Sequence, residues 1–428
     1  MLIEFSVANF RSIRDKLTLS MEVSEPKKRP KNLRFSTNYK QSEKVWAMAG
    51  LYGANASGKT NIIKALAAFH QVALLSNKLN IEDRFSEIIR GDTLSPYLLS
   101  GKTRNSPSQF KVVFKHENYV YEYEIELDNN FIHKECLYAI PLTGVDRQRK
   151  QMWFIRDKQK FDINTKYIDG DTKTWQQETK ENNSFLAIAA NRNSKSLQKI
   201  SKWFRNKLSF LAEVENADFT DLLIEKHNKK NQILQIIQSL DFSFADLRVR
   251  EMSLKDLKLP KELPEEIRES IIKEFAEDKP VQVVPIHKTE DGDVIEIPMS
   301  QQSDGTKSLY AFAGYLLNVF ENGRVLFIDE IEKSLHPVAL NAVVELFNNQ
   351  EINKKGAQLI FTSHATHLLK LLDKDQIYLF EKNRFGASSV TCVSEFSGIR
   401  NTDDLEKQYL SGRYGALPNI DLEYAFHE

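Results

Sequence analysis

Only two cysteines, Cys136 and Cys392, occur in 428 residues. That scarcity excludes a disulfide framework and a cysteine-rich metal cluster. Both lie among apolar neighbours and read as ordinary buried residues. Net charge is absent too: 59 basic side chains balance 59 acidic ones. The bulk composition therefore advertises no polyanionic partner, and only a local patch would serve nucleic acid. No run of about 18 apolar residues exists, and the N-terminus lacks a signal-peptide pattern. These absences lead to the expectation of a cytoplasmic protein with no membrane partner. Sustained heptads are missing as well, which argues against a long coiled-coil arm. What is present, at 41% hydrophobic content, is enough apolar material for a sizeable core and more than one domain.

Against that plain background stand four short motifs. Gly53-Ala-Asn55-Ala-Ser-Gly58-Lys59-Thr60 matches the phosphate-loop pattern G-x-x-x-x-G-K-[ST]. In that pattern backbone N–H groups cradle phosphate oxygens while the lysine reaches the β- and γ-phosphates. The apolar run Val45–Tyr52 before it reads as one strand buried on both faces. After it, Ile62, Leu66, Phe69 and Ala73 recur at helical spacing. The glycines thus fall between strand and helix, and Thr60 is placed to give Mg²⁺ a hydroxyl ligand.

Asp329 and Glu330 follow a second buried strand, Val325 to Ile328. The aspartate suits a Walker-B role, holding Mg²⁺, and the glutamate suits deprotonation of an attacking water. Paired acids at a strand end also occur as helix caps, but the preceding phosphate loop favours the metal reading. Ser303-Asp-Gly305-Thr306 opens an amphipathic helix marked by Leu309, Phe312, Leu316 and Phe320, offering donors to phosphate. Alone, that motif is as well explained by an ordinary helix cap; its place before the Walker-B strand gives it weight. Thr362-Ser363-His364 follows the apolar strand Gln358–Phe361, and an imidazole can donate to phosphate.

In this order the motifs resemble ABC-type ATPase heads of the SMC, RecF and OLD kind. The resemblance makes Ser303 and Gly305 the signature motif, His364 the switch histidine at the γ-phosphate, and Asn9-Phe-Arg11-Ser12 the opening that brings Arg11 to the nucleotide. The chain departs from transporter ATPases where Ile331-Glu-Lys-Ser-Leu335-His336-Pro337 puts His336 in place of the D-loop aspartate. Neither Gln71 nor Gln109 makes a clear Q-loop. The closing Tyr409-Leu-Ser-Gly412-Arg413-Tyr414-Gly415-Ala-Leu-Pro418 narrows the resemblance to RloA-type AAA/ABC ATPases of bacterial anti-phage loci.

Alternating apolar residues mark a β-rich N-terminal lobe: Ile3, Phe5 and Val7, then Leu17, Leu19 and Met21. Phe110, Val112 and Phe114 follow, paired as a hairpin with Tyr119, Tyr121 and Tyr123. The tyrosine stripe reads as sheet packing rather than base stacking. Glu25–Lys31 is a basic, proline-broken loop. Residues 151–280 read as a mainly helical insertion, with Ile233, Ile236, Ile237 and Leu240 at helical spacing, and again Ile267, Ile271 and Phe275. From 281 to 400 strands and helices alternate, which implies a mainly parallel sheet flanked by helices. Because phosphate loop and Walker B must meet at one Mg²⁺, residues 1–150 and 281–400 are expected to form one discontinuous ATPase domain, with 401–428 as a tail.

The expected fold is therefore α/β, a P-loop ABC-type ATPase with a β-rich lobe and a helical insertion. The expected function is a slow ATPase with ATP and Mg²⁺ as cofactors that dimerises around the nucleotide. It would control a separately encoded effector, a nuclease, in anti-phage defence. A RecF/SMC-like DNA-binding ATPase of repair or maintenance is the alternative, so nucleic acid stays open as a partner. Expected catalytic residues are Glu330 and His364. The nucleotide is expected on Gly53, Asn55, Gly58, Lys59, Thr60, Ser303, Gly305 and Arg11, and Mg²⁺ on Thr60 and Asp329.

Overall fold

The computed structural model describes residues 1–24, 32–75, 94–211, 218–240, 244–251, 281–333, 335–400 and 403–418. The chain divides into two compact units. The first comprises Met1–Ala212, Asn322–Lys333 and Leu340–Glu428, the second Glu213–Glu321 and Ser334–Ala339. Along the chain run β1 (Leu2–Ala8), β2 (Leu17–Ser20), β3 (Arg34–Tyr39), β4 (Ser42–Trp46), β5 (Met48–Gly53) and α1 (Lys59–Leu75). Next come β6 (Ser108–His116), β7 (Tyr119–Leu127), β8 (Ile132–Pro141), β9 (Gln151–Asp157) and β10 (Lys160–Ile163). Then follow α2 (Thr172–Glu178), α3 (Phe185–Asn191), α4 (Lys195–Lys207) and β11 (Leu208–Leu211). The next stretch holds α5 (Asp218–His227), α6 (Lys230–Ser239), β12 (Asp246–Glu251), β13 (Val281–Lys288), β14 (Val294–Glu296) and α7 (Asp304–Asn322). Last come β15 (Val325–Ile328), α8 (Pro337–Asn348), β16 (Gln358–Thr362), β17 (Ile377–Lys382), β18 (Ser388–Cys392) and α9 (Leu405–Leu410).

Two large sheets and the two-stranded pair β3-β4 make up the described strands of the first unit. One has seven strands in the order β10-β9-β8-β7-β6-β1-β2, every neighbouring pair antiparallel. The other has six, in the order β11-β15-β16-β5-β17-β18, parallel except for the last pair. Every residue of β5 and of β15 is buried, as continuous apolar runs in a covered parallel sheet require. Ile62, Leu66, Phe69 and Ala73 form the buried face of α1. Phe69 packs against Phe5, Phe110, Tyr123 and Phe204 at ring separations of 5.5–6.4 Å. This aromatic nest anchors the helix that follows the phosphate loop, and emptying a site of that kind typically costs about 3–5 kcal/mol.

Several expectations are revised. The run from Val45 to Tyr52 is two strands, broken at Ala47, whose N–H bonds Leu33 O at 3.0 Å. β4 pairs with β3, whereas β5 enters the parallel sheet. An unbroken apolar run cannot distinguish one buried strand from two that part company. Residues 151–163 are strands, not insertion helix, because β9 and β10 complete the antiparallel sheet. β11, also inside the stretch read as helical, adds to the parallel sheet beside β15. The segment after His364 is a 3₁₀ helix, Thr366–Leu371.

In the second unit Leu223, Ile224, Ile233, Ile237, Phe244, Leu247, Val283, Tyr310 and Ala313 form a separate core. β12, β13 and β14 make a small antiparallel sheet there. Tyr121 and Tyr123 of the tyrosine stripe are buried, Tyr121 stacking on Phe114 at 5.4 Å, so both serve packing. Asp403 and Asp404 take Arg400 N–H and Lys407 N–H, the latter as the cap of α9. Both cysteines are buried and free. The basic loop 25–31 and the Ile267, Ile271, Phe275 pattern lie outside the described residues. Among the described residues no helix is long and apolar enough to cross a membrane.

Candidate functional site

β5 delivers the chain to the loop 53–58, and α1 begins at Lys59. Gly53 has φ +143°, and a Cβ there would stand 2.3 Å from the carbonyl oxygen of Phe380. Gly58 has φ +108°, and its Cβ would stand 2.2 Å from Ser388 Oγ. Both positions thus demand glycine on conformation and on space. Ala56 is also left-handed, φ 59°, a strain of the kind that collects at ligand-binding loops. Asn55 is exposed at the crest. Lys59 Nζ donates to the carbonyls of Gly53 and Ala54 at 2.7 and 2.9 Å. Burial pushes the ammonium pKa down, while the carboxylates of Glu330, Asp329 and Glu332 pull it back up.

Between β5 and β15 runs β16, and its last residue joins the other two strand ends. Asp329 Oδ1 accepts from Thr60 Oγ1 at 3.0 Å and from Thr362 Oγ1 at 2.6 Å. Thr362 Oγ1 in turn accepts the Glu330 N–H at 2.7 Å. Glu330 is left-handed, φ 50°, which turns the chain sharply at the end of the strand. Its carboxylate pairs with Lys333 Nζ at 2.5 Å. Hydroxyl and carboxylate oxygens brought together in this way are the hard donors that suit Mg²⁺ beside substrate phosphates.

One residue further along, Ser363 Oγ donates to Glu332 Oε2 at 2.8 Å and the His364 N–H to Oε1 at 2.7 Å. The Walker-B turn therefore holds the backbone of His364, whose side chain is exposed. Glu406 on α9 holds the turn that follows, through Thr366 Oγ1 at 2.9 Å and Lys370 Nζ at 2.7 Å.

Arg11 sits in a turn where both it and Asn9 are left-handed, φ 50° and 53°. The Asn9 side chain fixes that turn, donating to Thr103 O and Ser106 O and accepting the Tyr97 N–H. Ser12 Oγ meets Ser388 Oγ at 2.7 Å.

In the second unit, Ser303 Oγ accepts the Thr306 N–H at 3.1 Å and caps the first turn of α7. Among the described residues, a Cβ at Gly305 would meet nothing nearer than Ser303 Oγ at 3.9 Å apart from its chain neighbours and its own helix backbone. His336 Nδ1 accepts the Val338 N–H at 3.3 Å at the start of α8.

Gly53, Gly58, Lys59, Thr60, Asp329, Glu330 and His364 are thus gathered at one end of the parallel sheet, with Arg11 tied to the loop through Ser12. Ser303 and Gly305 belong to the other unit. Glu332 and Ser388 escaped the sequence reading, and Thr362 entered it only as the first residue of the Thr362-Ser363-His364 motif, with no role of its own. Glu332 left a trace, as a third carboxylate in the Walker-B turn. Ser388 left none, and nothing beside Thr362 pointed to its tie with Asp329, since these partners are far away along the chain. Gln71 lies in α1 and Gln109 in β6.

No curated protein matches the chain. Among solved structures, an SMC head bound to the C-winged helix domain of ScpA is 13% identical. It aligns over 91% of this chain and 96% of its own with a TM-score of 0.43. The SMC head domain from Thermotoga maritima is 12% identical over 91% and 98%, TM-score 0.38. An Smc head with an extended coiled coil, bound to the C-terminal domain of ScpA derived from Pyrococcus furiosus, is 14% identical over 92% and 97%, TM-score 0.42. The family model described as "AAA domain, putative AbiEii toxin, Type IV TA system" matches residues 48–370, from the first residue of β5 to the turn beyond His364. With its phosphate loop and the parallel strands β5, β11, β15 and β16 inside that match, the chain belongs to this AAA family of P-loop ATPases.

Proposed function

We propose that the protein binds and slowly hydrolyses ATP as a molecular switch. It closes as a dimer around Mg-ATP and controls a separately encoded effector, a nuclease, in anti-phage defence of the RloA type. The observation that carries the nucleotide part is the Asp329 carboxylate, which takes hydroxyls from both the phosphate-loop helix and the neighbouring strand. The family description, which names a putative toxin of a Type IV TA system, supports the defence part.

Lys59 would leave the Gly53 and Ala54 carbonyls for the β- and γ-phosphates, which offer an ammonium a stronger, charged acceptor. Thr60 and Asp329 would hold Mg²⁺, whose contribution when bound is to neutralise charge on the phosphate oxygens. Glu330 accepts the proton of the attacking water. His364, its backbone set by Glu332, donates to the γ-phosphate. Arg11 and Asn55 contact the nucleotide from the rim. Ser303 and Gly305 present hydroxyl and helix N-terminus to ATP held by a second copy. Closure can alter an effector only through contacts that differ between open and closed states.

Mass measured with and without ATP tests this reading in Glu330→Gln, which retains shape but lacks a base. The variant should accumulate an ATP-bound dimer, while Lys59→Ala should bind no ATP. Normal hydrolysis by either would overturn the assignment. ATP-dependent binding of bare DNA with no co-purifying effector would favour the repair alternative.

A further inference from the structure

Three segments far apart in sequence meet beneath the phosphate loop: the Arg11 turn, the first turn of α1, and the first residue of β18. Asn61 Nδ2 donates to Ser12 Oγ at 2.7 Å. Ser388 Oγ donates to the Ser57 carbonyl at 2.6 Å, which uses its one proton. The 2.7 Å contact between Ser12 and Ser388 is therefore made with the Ser12 hydroxyl as donor. The result is a one-way relay, Asn61 to Ser12 to Ser388 to Ser57, that begins and ends on the phosphate loop and its helix. Backbone closes the same joint, with Ser388 N–H on Ser12 O at 2.7 Å. Ser57 and Ser388 are buried, so water does not compete for the bond between them, while Ser12 and Asn61 are half-buried. The clearance at Gly58 leaves Ser388 no room to slide toward the loop. Arg11, next to Ser12, is held left-handed with its N–H on Ser95 O at 2.7 Å. A strained turn keeps its shape only where its surroundings over-determine it.

We infer that Ser388 is a positioning residue that locks the Arg11 turn to the phosphate loop through Ser12, so that nucleotide binding and the placement of Arg11 are one event. This rests on the nucleotide reading above. Ser388 is not assigned any contact with ATP; it acts through Arg11.

Affinity for a fluorescent ATP analogue with Mg²⁺ tests it in the full-length chain. Ser388→Ala should weaken binding about tenfold, the scale of one or two lost buried hydrogen bonds. Arg11→Ala should weaken it in the wild-type background but add little in Ser388→Ala, since a misplaced arginine has nothing left to lose. Ser12→Ala should behave like Ser388→Ala, whereas Ser12→Thr, which keeps the hydroxyl, should bind as wild type. The Ser12 pair carries the test alone if Ser388→Ala does not fold. Fully additive losses, or equal affinity of Ser12→Ala and wild type, would overturn the coupling. If wild type binds and Lys59→Ala does not, such a result removes the coupling alone. If wild type binds no ATP, both readings fall.

Discussion

The carboxylate of Glu332 holds the backbone N–H of His364 at 2.7 Å on one oxygen and the Ser363 hydroxyl at 2.8 Å on the other. The turn after β15 therefore fixes the backbone that leads from β16 into His364. Thr362 adds a second tie, to Asp329 and to the Glu330 N–H. Three consecutive residues, Thr362, Ser363 and His364, are thus pinned to Asp329, Glu330 and Glu332 beyond the neighbouring strand.

If Glu332 acts by placing His364, its removal should lower turnover rather than ATP affinity. Glu332→Ala is expected to lose about tenfold in kcat with little change in KM, the scale of one charge-assisted hydrogen bond. Glu332→Gln should recover most of it, because an amide oxygen still accepts the His364 N–H and the Ser363 hydroxyl can accept in turn. In a His364→Ala background Glu332→Ala should do nothing further. Equal damage from Gln and Ala would mean that its charge matters instead, acting on Lys59 across the site.

The two loop glycines should fail differently. A methyl group on Gly53 meets backbone, the Phe380 carbonyl, which no rotamer change can clear. Gly53→Ala is expected to cost about 2 kcal/mol or more of folding stability. On Gly58 the obstacle is the Ser388 side chain, which can turn away and break its own hydrogen bonds. Gly58→Ala should therefore keep more stability but lose ATP affinity. Urea denaturation beside ATP titration separates the two, and a reversed order of stability would contradict this geometry.

His70, on α1, is half-buried with Nε2 3.1 Å from the Phe204 carbonyl. Burial pushes its pKa from 6.5 to about 4, against the carbonyl's opposing effect, and Arg324 and Arg205 push the same way as burial. Unfolded chains take up this proton near pH 6.5, folded ones only near pH 4. The stabilisation is therefore whole above pH 6.5 and is lost as pH falls through about 4. It amounts to on the order of 3 kcal/mol. His70→Gln, which still offers a donor to Phe204, should flatten the fall of the urea midpoint between pH 7 and pH 4. Identical pH dependence in variant and wild type would rule His70 out as the acid-sensitive group.

Sequence alone determined what contiguous chain can encode. A phosphate loop needs its glycines, lysine and threonine within one strand–loop–helix unit, and those residues are neighbours in the chain. Apolar runs announced β15 and β16, and helical spacing announced α1 and α7, because these patterns repeat within a few residues. Tertiary structure decided the rest. It split the run Val45–Tyr52 between two sheets, made strands of 151–163, and set β16 between the Walker strands, since strand pairing over long separations leaves no local period to read. For the same reason the ties made by Thr362, Glu332 and Ser388 could not be read from the sequence. Each is an ordinary polar residue until folding brings its partner within 3 Å, and it is the burial of that contact that makes a hydroxyl or a carboxylate matter.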